Sequence, residues 1–156
     1  MRRLSGIVLA GTMLMLPAFT VSGHAQDAAA APKPAPTTYT GDVAIVMYAI
    51  NPGKEADYEQ VIAKLREALG KSTAPEAKQQ LAGWKVVRNS VAQPDGTILY
   101  VHVLNPVVKG ADYSIINLVY EAFTDYAEQK AFYDLYSGSV NAPLFAIQGP
   151  TVDLGK

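Results

Sequence analysis

Apolar residues of the β-branched and aromatic types cluster in four short segments, which predicts four strands. Turn residues separate them: Asn51-Pro52-Gly53 follows the first segment, and Gln93-Pro94-Asp95-Gly96 lies between the second and third, where it predicts a hairpin. The four predicted strands are residues 43–50, 84–91, 98–104 and 144–147.

Between these strands the apolar spacing changes to three and four residues, which predicts helices. The clearest helix is 54–69, and Gly70 is expected to end it. A short helix over 72–80 is predicted because Pro75 suits a first turn, and another is predicted from 125 to 136, before Gly138. The run 112–123 fits either a helix or a buried strand, and its spacing favours a helix.

The order of these elements defines a fold class. Strand, helix, strand, strand, helix, strand is the order of the ferredoxin-like βαββαβ arrangement, an α+β fold in which an antiparallel sheet carries its helices on one face. We therefore predict one ferredoxin-like α+β domain over residues 42–155.

The first and third predicted strands are apolar on both faces, although one layer of helices covers only one face of a sheet. In the first strand Val43, Ile45 and Met47 point one way, while Val46 and Tyr48 point the other. A second copy of the chain, a bound apolar molecule or the Pro-rich tail could cover the second face. A homodimer through the sheet face, and with it a dimeric α/β barrel, is the commonest solution because twofold oligomers dominate.

The N-terminus has the layout of a secretory signal peptide: a basic start at Arg2 and Arg3, an apolar run, and small residues up to Ala25. Cleavage near Ala25 would make the protein periplasmic or secreted. The alternative is a retained membrane anchor, but the apolar run is shorter than the ~20 residues of a span, and Pro17 interrupts it. Residues 26–41 form an Ala/Pro-rich linker.

Charge and composition exclude several classes of partner and site. Removing residues 1–25 leaves 11 Lys and Arg against 14 Asp and Glu, a formal charge of −3 with no basic cluster. Nucleic acid and, after signal cleavage, membranes are therefore not expected as partners. The chain has no Cys, so disulfides, thiolate metal sites and a Cys nucleophile are excluded, and we expect no metal and no cofactor.

Few residues could carry chemistry. His102 is the one histidine beyond the signal peptide, and it lies mid-strand, either as a general base or haem ligand or as a hydrogen-bonded structural residue. Tyr100 is its candidate catalytic partner. Tyr48, Trp84 and Arg88 are candidate ligand-binding residues, with Arg88 able to clamp a carboxylate or stack on Trp84.

Three segments resemble the dimeric α/β-barrel superfamily, in particular antibiotic-biosynthesis-monooxygenase-like domains. They are VAIVMYAI at 43–50, NPGKEADYEQVIAKLREAL at 51–69, and YEAFTDYAEQKAFYD at 120–134. The resemblance implies a pocket between sheet and helices, walled by residues such as His, Tyr, Asn or Trp. Residues 106–120 depart from the compact members by a longer loop and an extra helix. The chain also resembles exported bacterial proteins with no assigned activity.

Three hypotheses of function follow. The first is an exported, dimeric α+β domain of unassigned activity that binds a small apolar or aromatic molecule. The second, implied by the resemblance, is a cofactor-independent monooxygenase-like enzyme that uses His102 and Tyr100. The third is a stress-linked accessory protein that acts through protein contacts. A cavity that reaches His102 with a free ring nitrogen favours an enzyme, whereas a cavity without such a nitrogen favours a binding domain.

Overall fold

A computed structural model of the chain describes residues 33–155. The predicted signal peptide, 1–25, and the start of the predicted linker lie outside the described residues. The elements are β1 (Val43–Ile50), α1 (Glu55–Lys71), α2 (Pro75–Gly83), β2 (Trp84–Arg88), β3 (Ile98–Leu104), α3 (Ile115–Ala122), α4 (Tyr126–Ser139) and β4 (Val140–Gly149). The predicted α+β class is confirmed, and residues 115–122 are helical, as their spacing favours.

The four strands form one antiparallel sheet in the order β2-β3-β1-β4. In the centre, Val46 pairs with His102 and Tyr48 pairs with Tyr100, so these four side chains share one face. The predicted hairpin between β2 and β3 is present: the Gly96 N–H donates to the Gln93 carbonyl at 2.8 Å. Gly96 adopts a φ of 84°, which glycine tolerates best.

All four helices pack near one face of this sheet. The stripe that the sequence predicts on α1 is buried there at Tyr58, Val61, Leu65 and Leu69. The core then gains residues from β1, β3, α3 and α4, but the opposite face of the two central strands contributes no large apolar side chain to it. Helix amphipathicity and strand alternation thus place one hydrophobic core between the helices and the sheet.

Two predicted helix ends are wrong, because the glycines there are helical. Gly70 lies inside α1, which ends at Lys71. The Ser72 N–H then donates to the Ala68 carbonyl at the end of the helix. Gly138 lies inside α4, where its carbonyl accepts a hydrogen bond from the Asn51 side chain at 3.1 Å. At Gly138 a partner from another segment therefore offsets the weak helix propensity of glycine, whereas Gly70 is included in the last turn of α1.

The bounds of two strands also differ from the predicted ones. β4 begins directly after α4, because Val140 already pairs with Ile50 at the end of β1. β2 ends at Arg88 instead of residue 91, and the Asn89 side chain then accepts from the Val91 N–H at 3.1 Å. Such a local side-chain bond competes with strand pairing.

The face of the sheet turned away from the helices is apolar and partly open. Val87, Phe145 and Ile147 are 56%, 47% and 57% exposed. Val101 and Val103, in the centre, are half-buried. Within residues 33–155, no helix is both long enough and apolar enough to cross a membrane.

The described part of the predicted linker, residues 33–41, has no helix but is attached to the domain. Tyr39 is buried against Tyr113, with a ring-centroid distance of 5.6 Å. The Gln148 side-chain oxygen accepts from the N–H groups of Thr40 and Gly41 at 2.6 and 3.0 Å. This segment lies over the helix-covered side and leaves the other face of the sheet open.

The close approach at Gly41 gives a first prediction. A Cβ at Gly41 would lie 2.5 Å from the Gly149 backbone nitrogen, so Gly41→Ala should lower the free energy of unfolding by about 1–3 kcal/mol in urea denaturation. Gly70→Ala is the matched control, since its Cβ meets nothing within 4 Å in a helix interior, and it should raise stability by roughly 0.5–1 kcal/mol. Equal effects of the two substitutions would contradict this packing.

Candidate functional site

A cavity of about 180 Å³ lies between the sheet and the start of α3. One side comes from β1, β2 and β3, and the opposite side from α3 and from Tyr136 of α4. A third side comes from the N-terminal segment. The lining residues are Pro34, Ala35, Thr37, Tyr39, Val46, Tyr48, Trp84, His102, Leu104, Tyr113, Ser114, Ile115, Ile116 and Tyr136.

His102 lies against this cavity with both ring nitrogens already hydrogen-bonded. The Trp84 indole N–H donates to Nδ1 at 2.9 Å, and the Tyr58 hydroxyl lies 2.9 Å from Nε2. Because an indole N–H can only donate, Nδ1 must be the acceptor. The neutral ring then carries its hydrogen on Nε2 and donates it to the Tyr58 oxygen.

Burial keeps this imidazole neutral. His102 is almost fully buried, and desolvation lowers its pKa to about 4. A protonated ring would also direct an Nδ1–H at the Trp84 N–H. The histidine therefore has no free nitrogen to serve as a base or as a ligand to a haem iron.

The rings around His102 form a continuous aromatic group. Tyr48 contacts its ring edge-on at a centroid distance of 5.1 Å, and Trp84 lies 5.8 Å from His102 and 5.3 Å from Tyr113. Offset and edge-to-face contacts of this kind are favourable beyond the area that they bury. Burial raises the pKa of Tyr48, so its hydroxyl stays protonated.

The structure separates two predicted site residues from this cavity. Tyr100 and Arg88 share the face of His102, but both bond the same oxygen of Glu59 on α1, each at 3.0 Å. They line a different groove of about 460 Å³ between α1, α2 and β2. Burial, and then the bond to Glu59, raise the pKa of Tyr100 to about 12. His102, Tyr48 and Trp84 are brought together, while Tyr100 and Arg88 are not part of that cavity.

Sequence reasoning missed several walls of the cavity. Tyr113 and Tyr136 belong to a run of tyrosines visible in the sequence, but nothing local shows which of them face His102. Tyr39 falls in the predicted linker, and its one signal was a large aromatic residue after a Pro-rich stretch. Contacts between segments distant in sequence place all three.

The cavity wall carries no charged side chain among the described residues that form it. Residues 33–155 also contain no group of three or more His, Cys, Asp or Glu side chains that could hold a metal ion. The arrangement can enclose an uncharged molecule against aromatic rings, with tyrosine hydroxyls as its polar contacts.

No protein-family model matches the chain, and neither a curated protein nor a solved structure is similar enough to count as a match. The resemblance to the dimeric α/β-barrel superfamily accordingly stays a prediction from the three segments that carry it.

The buried histidine predicts a specific pH dependence of stability. Its folded pKa lies below that of an exposed histidine, so the stability it contributes is complete above about pH 6.5 and is lost as the pH falls towards 4. Between pH 7 and 5 we expect the free energy of unfolding of the wild type, measured by urea denaturation, to fall by about 2 kcal/mol. This fall should be absent in His102→Gln.

Residues 26–156 hold no other histidine, so the difference between the wild-type and His102→Gln pH profiles isolates this ring. If His102→Gln fails to fold, ¹⁵N NMR of the wild-type ring gives the same answer: Nε2 should stay protonated and Nδ1 unprotonated down to pH 5. A midpoint near 6.5 for this ring would contradict the assignment.

Proposed function

We propose that the mature chain is an exported, homodimeric binding domain that holds a small uncharged apolar or aromatic molecule in the cavity beside His102. The observation that carries the proposal is the cavity wall itself, which is aromatic and uncharged and in which both nitrogens of its one histidine are already bonded. Export rests on the signal-peptide layout of residues 1–25.

The same observation separates binding from catalysis. A general base must have a lone pair within hydrogen-bond reach of the substrate proton. The lone pair on Nδ1 of His102 accepts the hydrogen bond from the Trp84 N–H, and Nε2 carries the ring hydrogen. Tyr100, the other residue of the enzyme hypothesis, faces a different groove. We therefore favour a binding domain over a monooxygenase-like enzyme.

The size of the cavity limits the ligand. An engineered apolar cavity of about 150 Å³ in another protein admits benzene. At about 180 Å³, the cavity here suits one aromatic ring with a small substituent. The absence of a charged side chain in its wall disfavours ions, because a buried charge without a partner is costly.

Two features support a ferredoxin-like fold in a dimeric barrel. The strand order β2-β3-β1-β4, with all neighbours antiparallel and the helices on one side, is compatible with the ferredoxin-like arrangement. The open face of the sheet then supplies the surface for a second copy, since such a face would meet its own equivalent across a twofold axis.

The composition of that open face favours a second copy over other partners. It carries no charge on its two central strands and on the neighbouring part of β4, and its one charge on the edge strand β2 is Lys85, opposite Val103. Its large side chains are Val43, Ile45, Met47, Leu99, Val101, Val103, Phe145 and Ile147. Fully burying one such side chain stabilises by roughly 1.5–3 kcal/mol. Residues 33–41, a predicted alternative cover, pack on the other side of the sheet.

Ligand binding is tested with toluene as the probe. Trp84 is the one tryptophan of the sequence, so its fluorescence reports on this site. We expect toluene to change the Trp84 emission saturably, and Val46→Phe, which places a ring in the cavity, to weaken binding by at least about tenfold.

Val91→Phe is the matched control, since Val91 is exposed and lies outside the cavity wall. It should bind toluene like the wild type. Absence of saturable toluene binding to the folded wild-type protein would sink the binding proposal.

Dimerisation is tested by one charge on the open face. Val101→Glu places a carboxylate at the centre of the sheet, where a sheet-to-sheet dimer would bury it unpaired, so sedimentation at micromolar concentration should change from dimer to monomer. Val152→Glu, at an exposed position beyond β4, should remain dimeric. A wild-type protein that is monomeric throughout this range would refute the dimer.

A further inference from the structure

We propose that residues 33–41, here called the strap, are a structural part of this binding cavity, and that docking of the strap and occupation of the cavity stabilise each other. This inference rests on the proposed binding function and adds to it the identity of the segment that controls the site.

The strap supplies one complete wall of the cavity. Pro34, Ala35, Thr37 and Tyr39 line the space together with side chains of the sheet such as His102. Tyr39 is 8% exposed and packs in a small apolar cluster that includes residues of β1, of β3 and of the loop before α3. Without the strap the cavity would be an open cleft over the sheet.

The Asp112 carboxylate bonds the strap to the start of α3. Asp112 Oδ1 accepts from the N–H groups of Thr37 and Ser114, each at 2.8 Å, and its Oδ2 accepts from the Asn117 side chain at 2.8 Å. The same Asn117 nitrogen donates to the Pro34 carbonyl at 3.0 Å. Ser114 caps α3 and lines the cavity. The bonds of Asp112 and Asn117 therefore fix the distance between the strap wall and the α3 wall of the cavity.

The attachment carries a cost that limits its strength. Asn117 is almost fully buried, and its side-chain oxygen has no hydrogen-bond partner in the described part of the chain. A buried unsatisfied polar group of this kind destabilises the docked arrangement. The strap also lacks the regular backbone bonding of a helix or strand, and such segments open at low free energy.

Coupling follows from this geometry. A molecule in the cavity contacts the strap wall only while the strap is docked, so its binding free energy favours the docked state. By linkage the effect is reciprocal: complete release of the strap must weaken binding by the factor by which an occupied cavity favours docking. Couplings between sites are typically 5- to 150-fold in affinity.

The experiment uses the full chain and toluene as the probe. In wild-type protein, saturating toluene should slow hydrogen exchange of the Thr37 amide, which bonds Asp112, by roughly 5-fold or more. Asp112→Ala removes the carboxylate, so it should speed exchange in the strap and weaken toluene binding by roughly 5- to 150-fold.

Asp95→Ala is the matched control. Asp95 also accepts a backbone N–H two residues later, from Thr97 at 3.0 Å, but it lies in the hairpin turn away from this cavity. It should leave both strap exchange and toluene affinity unchanged. Since the wild-type exchange measurement needs no substitution, it stands even if Asp112→Ala fails to fold.

The outcomes separate this inference from the proposed function. Toluene binding that leaves Thr37 exchange unaltered and that survives Asp112→Ala in a folded protein would overturn the strap and keep the binding domain. A wild-type protein that binds no toluene would overturn both.

Discussion

The hydrogen bonds that hold His102 are the interaction on which the site depends. A histidine in the middle of a buried sheet face is tolerated only if its nitrogens are bonded, and Trp84 and Tyr58 bond both. Since Trp84 lies on β2 and Tyr58 on α1, the ring joins the edge of the sheet to the main helix. The same bonds fix the tautomer and leave the histidine without a lone pair for chemistry.

The two faces of the sheet divide the remaining roles. One layer of helices covers the face that carries Tyr48 and His102, and incomplete filling between that face and α3 leaves the cavity. The other face of β1 and β3 is equally apolar and has no helix against it. A chain without disulfides depends on apolar burial for its stability, so a second copy over this face would add to its core.

Local patterns in the sequence determine much of this fold, but not the walls of its site. Strand alternation places Tyr100 and His102 on one face of β3, but only the register of β1 against β3 adds Tyr48 to that face. Alternation could not separate Tyr100 from the cavity, because that depends on Glu59 of α1. Tyr39 and Tyr136 line the site through contacts across most of the chain, and such contacts leave no periodic signal. Gly138 is helical for the same reason, because the bond from the distant Asn51 side chain offsets a weak local preference.

The polar groups around the cavity serve its walls more than a ligand. Asp112 and Asn117 join the strap to α3, and Ser114 caps that helix. The Trp84 N–H donates to His102. What remains facing the space combines aromatic ring surface with at least as much polar surface. Recognition by such a surface comes from shape and aromatic contact, whose energy falls steeply as the walls separate. A site of this kind is only as selective as its walls are fixed, so the bonds that dock residues 33–41 would set the affinity proposed for this cavity as directly as the rings that line it.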